Sequence, residues 1–133
     1  MLCIEIKSKR KIFGNNGIAW LWPFIFVWGS HPQYIRVREN ETGHNLQAPE
    51  TWVIGFPFAA YATYVLDYPI WWMFLLTYCS FAIIYGIMSL VAKLQGGDSY
   101  IDNVMEQDSR QWDDGNLGRR PRFYWLKLLF RGK

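Results

Sequence analysis

Between Val53 and Ala92 the chain runs for 40 residues with one charged side chain, Asp67, and from Tyr68 to Ala92 it carries none in 25. Few soluble folds leave so long a stretch without a charge, because an ordinary domain distributes Lys, Arg, Asp and Glu along its whole surface. The stretch Ile70–Ala92 is 23 residues long, about 34 Å at 1.5 Å per helical residue, which matches the hydrocarbon core of a bilayer with some tilt. Tyr68, Trp71 and Trp72 gather at one end of it, as in the aromatic belts at membrane surfaces, and Lys93 closes the other.

The rest of the 133 residues is polar and basic, with 14 Lys and Arg against 11 Asp and Glu and a net charge of +3. Aromatic residues make up 19% of the chain, which excludes a disordered segment. Two cysteines, Cys3 and Cys79, make no disulfide framework. The expected class is therefore a mainly α, small helical membrane protein forming one membrane-associated domain over residues 1–133. It has one or two transmembrane helices, a motif helix and an amphipathic C-terminal helix.

Along the chain, Leu2, Ile4 and Ile6 alternate as in a short strand or a surface-lying segment. Residues 17–29 form an apolar run with Trp20, Trp22 and Trp28, interrupted by Pro23. At 13 residues the run is short for a span and reads as an interfacial or re-entrant segment, with a buried strand as the alternative. Residues 36–48 are polar, and Pro49 predicts a break or kink after them. Residues 53–67 read as an apolar helix and 70–92 as the transmembrane helix. Residues 99–133 read as a cytoplasmic acidic helix, capped by Asp98 or Ser99, followed by a basic aromatic tail. Basic residues cluster before residue 12 and after residue 118, which predicts both termini on the cytoplasmic side of a bacterial inner membrane. The tail, with Arg119, Arg120, Arg122, Phe123, Tyr124 and Trp125, meets the formal pattern of a nucleic-acid binder. Next to a long apolar span, anionic lipid is the expected counter-charge, and no nucleic-acid partner is expected. A membrane-protein partner or a second copy of the chain is the alternative partner, since Ser80, Ala82, Gly86 and Ser89 permit close helix packing.

One segment suggests chemistry. Asn40-Glu41-Thr42-Gly43-His44 is one residue away from His-Glu-x-x-His, in which two imidazoles one turn apart hold zinc and the glutamate activates its water. Taken alone, the near-match is weak, and Glu41 and His44 read as ordinary surface polar residues. The order of short motifs adds to the pattern: Pro23-Phe24-Ile25-Phe26, then Asn40–His44 with Gln47, the apolar run Phe56–Leu66, Met105-Glu106-Gln107-Asp108-Ser109, and Phe123–Leu129. Together they resemble a family of small, membrane-associated, zincin-like metallopeptidases of bacteria and phages. The resemblance implies Glu41 as general base, His44 as a histidine ligand, and Asp108, or Glu106 on the same segment, as the carboxylate ligand. Asn40 stands where the family has its first histidine, and that departure falls on the metal site. The implied reading is a catalytically impaired or inactive metallopeptidase homologue, with zinc present in intact relatives and weak or absent here. The competing reading is a non-enzymatic subunit of a larger membrane complex. His31 is a further candidate ligand if the fold brings it to His44.

Overall fold

The computed structural model describes residues 3–11, 15–19, 21–113 and 115–131; Leu2 and Trp20, named above, lie outside them. The chain is mainly helical with a small three-stranded sheet. Strand β1 (Ile4–Ser8) pairs in parallel with β3 (Phe24–Trp28), placing Ile6 opposite Phe26. The two-residue strand β2 (Gly17–Ile18) pairs antiparallel on the other side of β3, so the order is β1-β3-β2. The 17–29 run thus supplies two strands, joined through a cis Trp22–Pro23 bond. Its Phe-Ile-Phe-Val-Trp segment alternates with period two: Ile25 and Val27 are buried with Ala19, while Phe24 lies outward.

Helix α1 (Tyr34–Val65) is a single element of 32 residues. It contains Pro49 and Pro57, so the break expected at Pro49 does not occur. A proline inside a helix costs about 3 kcal/mol, and here tertiary packing outweighs it. Ala48 sits in the main apolar cluster with Phe81, Met105 and Trp125, and Thr51 is also fully buried. The N-terminal half of α1 is polar and is wrapped by the sheet and the later helices. The C-terminal half, from Thr51, carries no charge and leaves Val53, Phe58, Tyr61 and Tyr64 exposed.

The 70–92 segment is not one helix. It forms α2 (Trp71–Tyr78) and α3 (Ser80–Leu94), which meet at Cys79 with a bend of 45°. Among the described residues no single helix is long and apolar enough to cross a membrane, although α2 and α3 together have the length and composition. The bend follows from what the two halves touch. Tyr78 hydroxyl donates to the Trp22 carbonyl at 2.8 Å and its ring lies 6.0 Å from Trp52, which holds the end of α2 against the strand connection. Beyond the bend, Phe81 and Tyr85 turn toward α1 near His44. The α1–α3 crossing depends on Gly55, where a Cβ would approach Ser80 Cβ to 2.6 Å. Asp67, in the tight turn before α2, adopts φ 52°.

Helix α4 (Val104–Gln111) starts later than the sequence suggests. Asn103 caps it by accepting from Met105 N at 2.9 Å, whereas Asp98 folds a preceding turn by accepting from the Tyr100 and Ile101 amides. A 3-10 turn (Leu117–Arg119) leads to α5 (Tyr124–Phe130), preceded by Phe123 in a left-handed conformation with φ 56°. Helix α4 lies close on α1 because residue 43 is glycine: a Cβ there would stand 3.2 Å from Ser109 Cβ and 3.3 Å from its Cα, and would collide with its hydroxyl.

That contact gives a direct test. Ala at position 43 gains about 1 kcal/mol of helix propensity, but it displaces Ser109 from the bond its hydroxyl donates to the Asn40 carbonyl at 2.6 Å. We expect Gly43→Ala to lose about 1–3 kcal/mol through overpacking. Gly86→Ala, at a site with nothing within 4 Å of the added carbon, should be neutral or slightly stabilising. Equal thermal melting of the two variants in the same detergent would contradict the packing argument.

Candidate functional site

The last two turns of the polar half of α1 present Glu41, His44 and Gln47 toward α3 and α4. Positions 44 and 47 are three apart and share a face. Helix α4 contributes Glu106, α3 contributes Tyr85, and β2 crosses above. Gly17 of β2 lies so close that a Cβ would come within 2.6 Å of Glu41 Cγ, so the strand presses on the glutamate. Between them is a small cavity of about 150 Å³, lined by Glu41, His44, Tyr85, Glu106, Phe81 and Tyr100.

The imidazole is held from both sides. Gln47 Nε2 donates to the Met105 carbonyl at 2.8 Å and to Asp108 Oδ2 at 2.9 Å. Its amide is therefore oriented with Oε1 toward the ring, where it accepts from His44 Nδ1 at 2.9 Å. On the other side, His44 Nε2 lies 3.0 Å from Glu106 Oε1 as a buried ion pair without an aligned hydrogen bond. The same carboxylate oxygen accepts from the Tyr85 hydroxyl at 2.6 Å, and Arg110 stands 3.6 Å from the other oxygen. Phe81 and Tyr85 rings pack 6.0 and 5.8 Å from the imidazole.

The charges follow from these contacts. Burial alone would discharge His44, but the Glu106 carboxylate 3.0 Å away, the charge of Glu41 and the Gln47 bond reverse this and raise it to about 9. Burial pushes Glu106 upward, and His44, Tyr85 and Arg110 together bring it below the ordinary carboxyl range. Glu41 has no such partner. Burial raises it to about 7, tempered by His44 and reinforced by Glu106. A carboxyl in that range can take or release a proton near neutral pH, as a general base must.

Of the residues singled out by sequence, Glu41, His44 and Glu106 meet in this cavity. Asp108 faces away from it: it is fully buried and binds Gln47 and the guanidinium of Arg120. Arg120 also donates to Glu50 Oε1 and Oε2 at 2.7 and 2.9 Å, and Trp125 Nε1 donates to Glu50 at 3.1 Å. Arg120, Glu50 and Gln47 as its connector carry no local sequence signal beyond Gln47's place three residues after His44. Asn40 lies on a wider cleft of about 600 Å³ next to Glu41, shared with His31, Arg36 and Arg110. Its buried Oδ1 has no hydrogen-bond partner among the described residues. His31 does not join His44; its Nδ1 accepts from the Gln33 amide at 2.9 Å, and its ring packs on Trp28.

The donor set does not fit catalytic zinc. Such a site uses three protein ligands and an open position. Here the one imidazole, His44, is paired with Glu106, Glu41 stands apart from that pair, and the Asn40 amide oxygen on the neighbouring cleft is a weak zinc donor. Among the described residues no three His, Cys, Asp or Glu side chains are grouped to hold a metal.

The protonation pattern has a measurable consequence. The folded chain binds the Glu41 proton more tightly than the unfolded chain, so the stability it contributes is full below the ordinary carboxyl range and is lost as pH rises through about 7. His44 contributes in full below the ordinary imidazole range and loses it as pH rises through about 9. Glu106 acts in the opposite sense and loses its contribution in acid. We expect the melting temperature to fall from pH 5 toward pH 10, with Glu41→Gln removing the part lost between about pH 4.5 and 7, on the order of 2–3 kcal/mol. A Glu41→Gln profile parallel to the parent's would place that carboxyl outside the cavity.

No protein family, curated protein or solved structure matches the chain.

Proposed function

We propose that this chain is a membrane-inserted, zincin-like protein whose peptidase site is catalytically impaired. The observation that carries this reading is the meeting of Glu41, His44 and Glu106 in one cavity, from two segments about 60 residues apart in sequence, with Asn40 one turn before His44. The motif helix, the acidic helix behind it and the glutamine that orients the imidazole are the parts of such a site that remain. Nε2 of His44 is engaged with Glu106, so the pair neutralises itself. Glu41 keeps the protonation behaviour of a base and lacks a partner that would activate water.

The membrane part of the reading is supported by the apolar exterior. Phe58, Tyr61, Tyr64, Val65, Leu66, Ile70, Trp71 and Phe74 are all exposed on the second half of α1, the turn and α2. A patch of this extent marks a surface that meets lipid or another protein. We infer a bilayer, with the polar half of α1, the sheet, α4 and α5 outside it.

Metal content tests the impaired-site reading. Detergent-purified parent protein should hold no stoichiometric zinc, whereas Asn40→His, which supplies a second imidazole one turn from His44, should hold about one per chain. Stoichiometric zinc in the parent would refute impairment, and zinc in neither protein would remove the zincin likeness.

A second reading, a structural subunit of a larger membrane complex, is favoured by one observation. Gly86 lies on α3, where an added Cβ would meet no described atom from beyond its own stretch of helix within 4 Å, beside exposed Ile83, Ile87 and Leu90. A partner helix could approach closely there. Under this reading Gly86→Leu should lose a co-purifying partner while still inserting; a partner retained in full would count against it.

A further inference from the structure

On the face of α1 opposite the cavity, a groove of about 570 Å³ runs between the helix and the C-terminal segment. That volume is in the range of sites for small ligands, about 300–1,000 Å³. One wall is Leu46, Pro49 and Val53 of α1, and the other is Leu117, Arg122 and Phe123. The groove is graded in polarity. Its apolar wall continues past Val53, which is 66% exposed, onto Phe56 and the uncharged half of α1. Its other side carries Arg122, an exposed cation that takes part in none of the ion pairs between described residues. Exposed Arg119 lies nearby in sequence, and α5 repeats the order, with Lys127 and Arg131 beside Phe130, which is 82% exposed.

The acid of the groove does not oppose an anion there. Glu50 is turned inward, accepting two bonds from Arg120 and one from Trp125. The buried trio of Glu50, Asp108 and Arg120 keeps one net negative charge, which Arg119 and Arg122 outnumber at the surface.

We propose that this groove binds one anionic phospholipid, its phosphate on Arg122 and its acyl chains laid along Val53 and Phe56. The inference rests on the bilayer reading given above. The charge complementarity selects an anion, and the continuity of the groove with the apolar half of α1 selects one that carries hydrocarbon. A free phosphate would use the first feature only.

The test combines vesicle flotation with native mass spectrometry of detergent-released protein. The parent should float with phosphatidylcholine vesicles alone and should retain one phosphatidylglycerol, in preference to phosphatidylcholine, when both are offered. Arg122→Gln should lower that retention about tenfold, the loss of roughly one charge-assisted hydrogen bond. Val53→Trp, which fills the apolar end, should lower it with the charge unchanged. Lys9→Gln, an equal charge change on the exposed N-terminal strand end, should leave it intact. Equal retention of both lipids overturns the proposal, as does an equal loss in Lys9→Gln. Displacement by inorganic phosphate at millimolar concentration would reassign the site to a phosphate and also overturn it. Failure to float with either vesicle would instead overturn the bilayer reading on which the proposal rests.

Discussion

The guanidinium of Arg120 ties three parts of the chain together at one buried point. It comes from the C-terminal segment, is almost fully buried, and forms paired bonds with Glu50 on α1 and Asp108 on α4. Removing one member of a buried ion pair typically costs about 3–5 kcal/mol, because the other charge is left without a partner. Here one cation serves two carboxylates, so its loss would leave both. The arrangement also fixes what lies beyond it. Asp108 orients the Gln47 amide, and Gln47 in turn orients the His44 ring. The cavity's imidazole is thus set through a line of three polar side chains that ends in the tail.

Two glycines make this line short enough to work. Gly43 lets α4 approach α1 until Ser109 bonds the Asn40 carbonyl, and Gly55 lets α3 cross α1 at Ser80. In sequence, Gly43 looks like a weakness in a motif helix. In the folded chain its missing side chain is the space in which α4, and with it Glu106, reaches His44.

The helical class and the concentration of apolar residues between 53 and 92 were legible because a charge-free run is a local mark, and the spacing of three between Glu41 and His44 already placed that pair on one side of a helix. Other features depend on distant partners. The 17–29 run has the hydrophobicity of a membrane-surface segment, and only its pairing with β1 decides that Ile25 and Val27 turn inward as strand residues. Pro49 has a strong local preference to end a helix, which the burial of Ala48 and Thr51 overrides. The bend at Cys79 has no proline or glycine to announce it. Asp108 and Glu106 are two residues apart on one helix, about 200° around its axis, so one faces His44 and the other faces Arg120. Sequence names the pair and cannot choose between them without the neighbouring helices.

Helix α1 is unbroken from the polar motif to the apolar tip, 32 residues or about 48 Å. Pro49 and Pro57 both lie between Glu41 and Tyr64, so the cavity and the apolar tip are joined by continuous helical backbone that lacks two of its amide donors. Those two positions are where such a helix bends, and any load on the aromatic half reaches Glu41 and His44 only by passing through both of them.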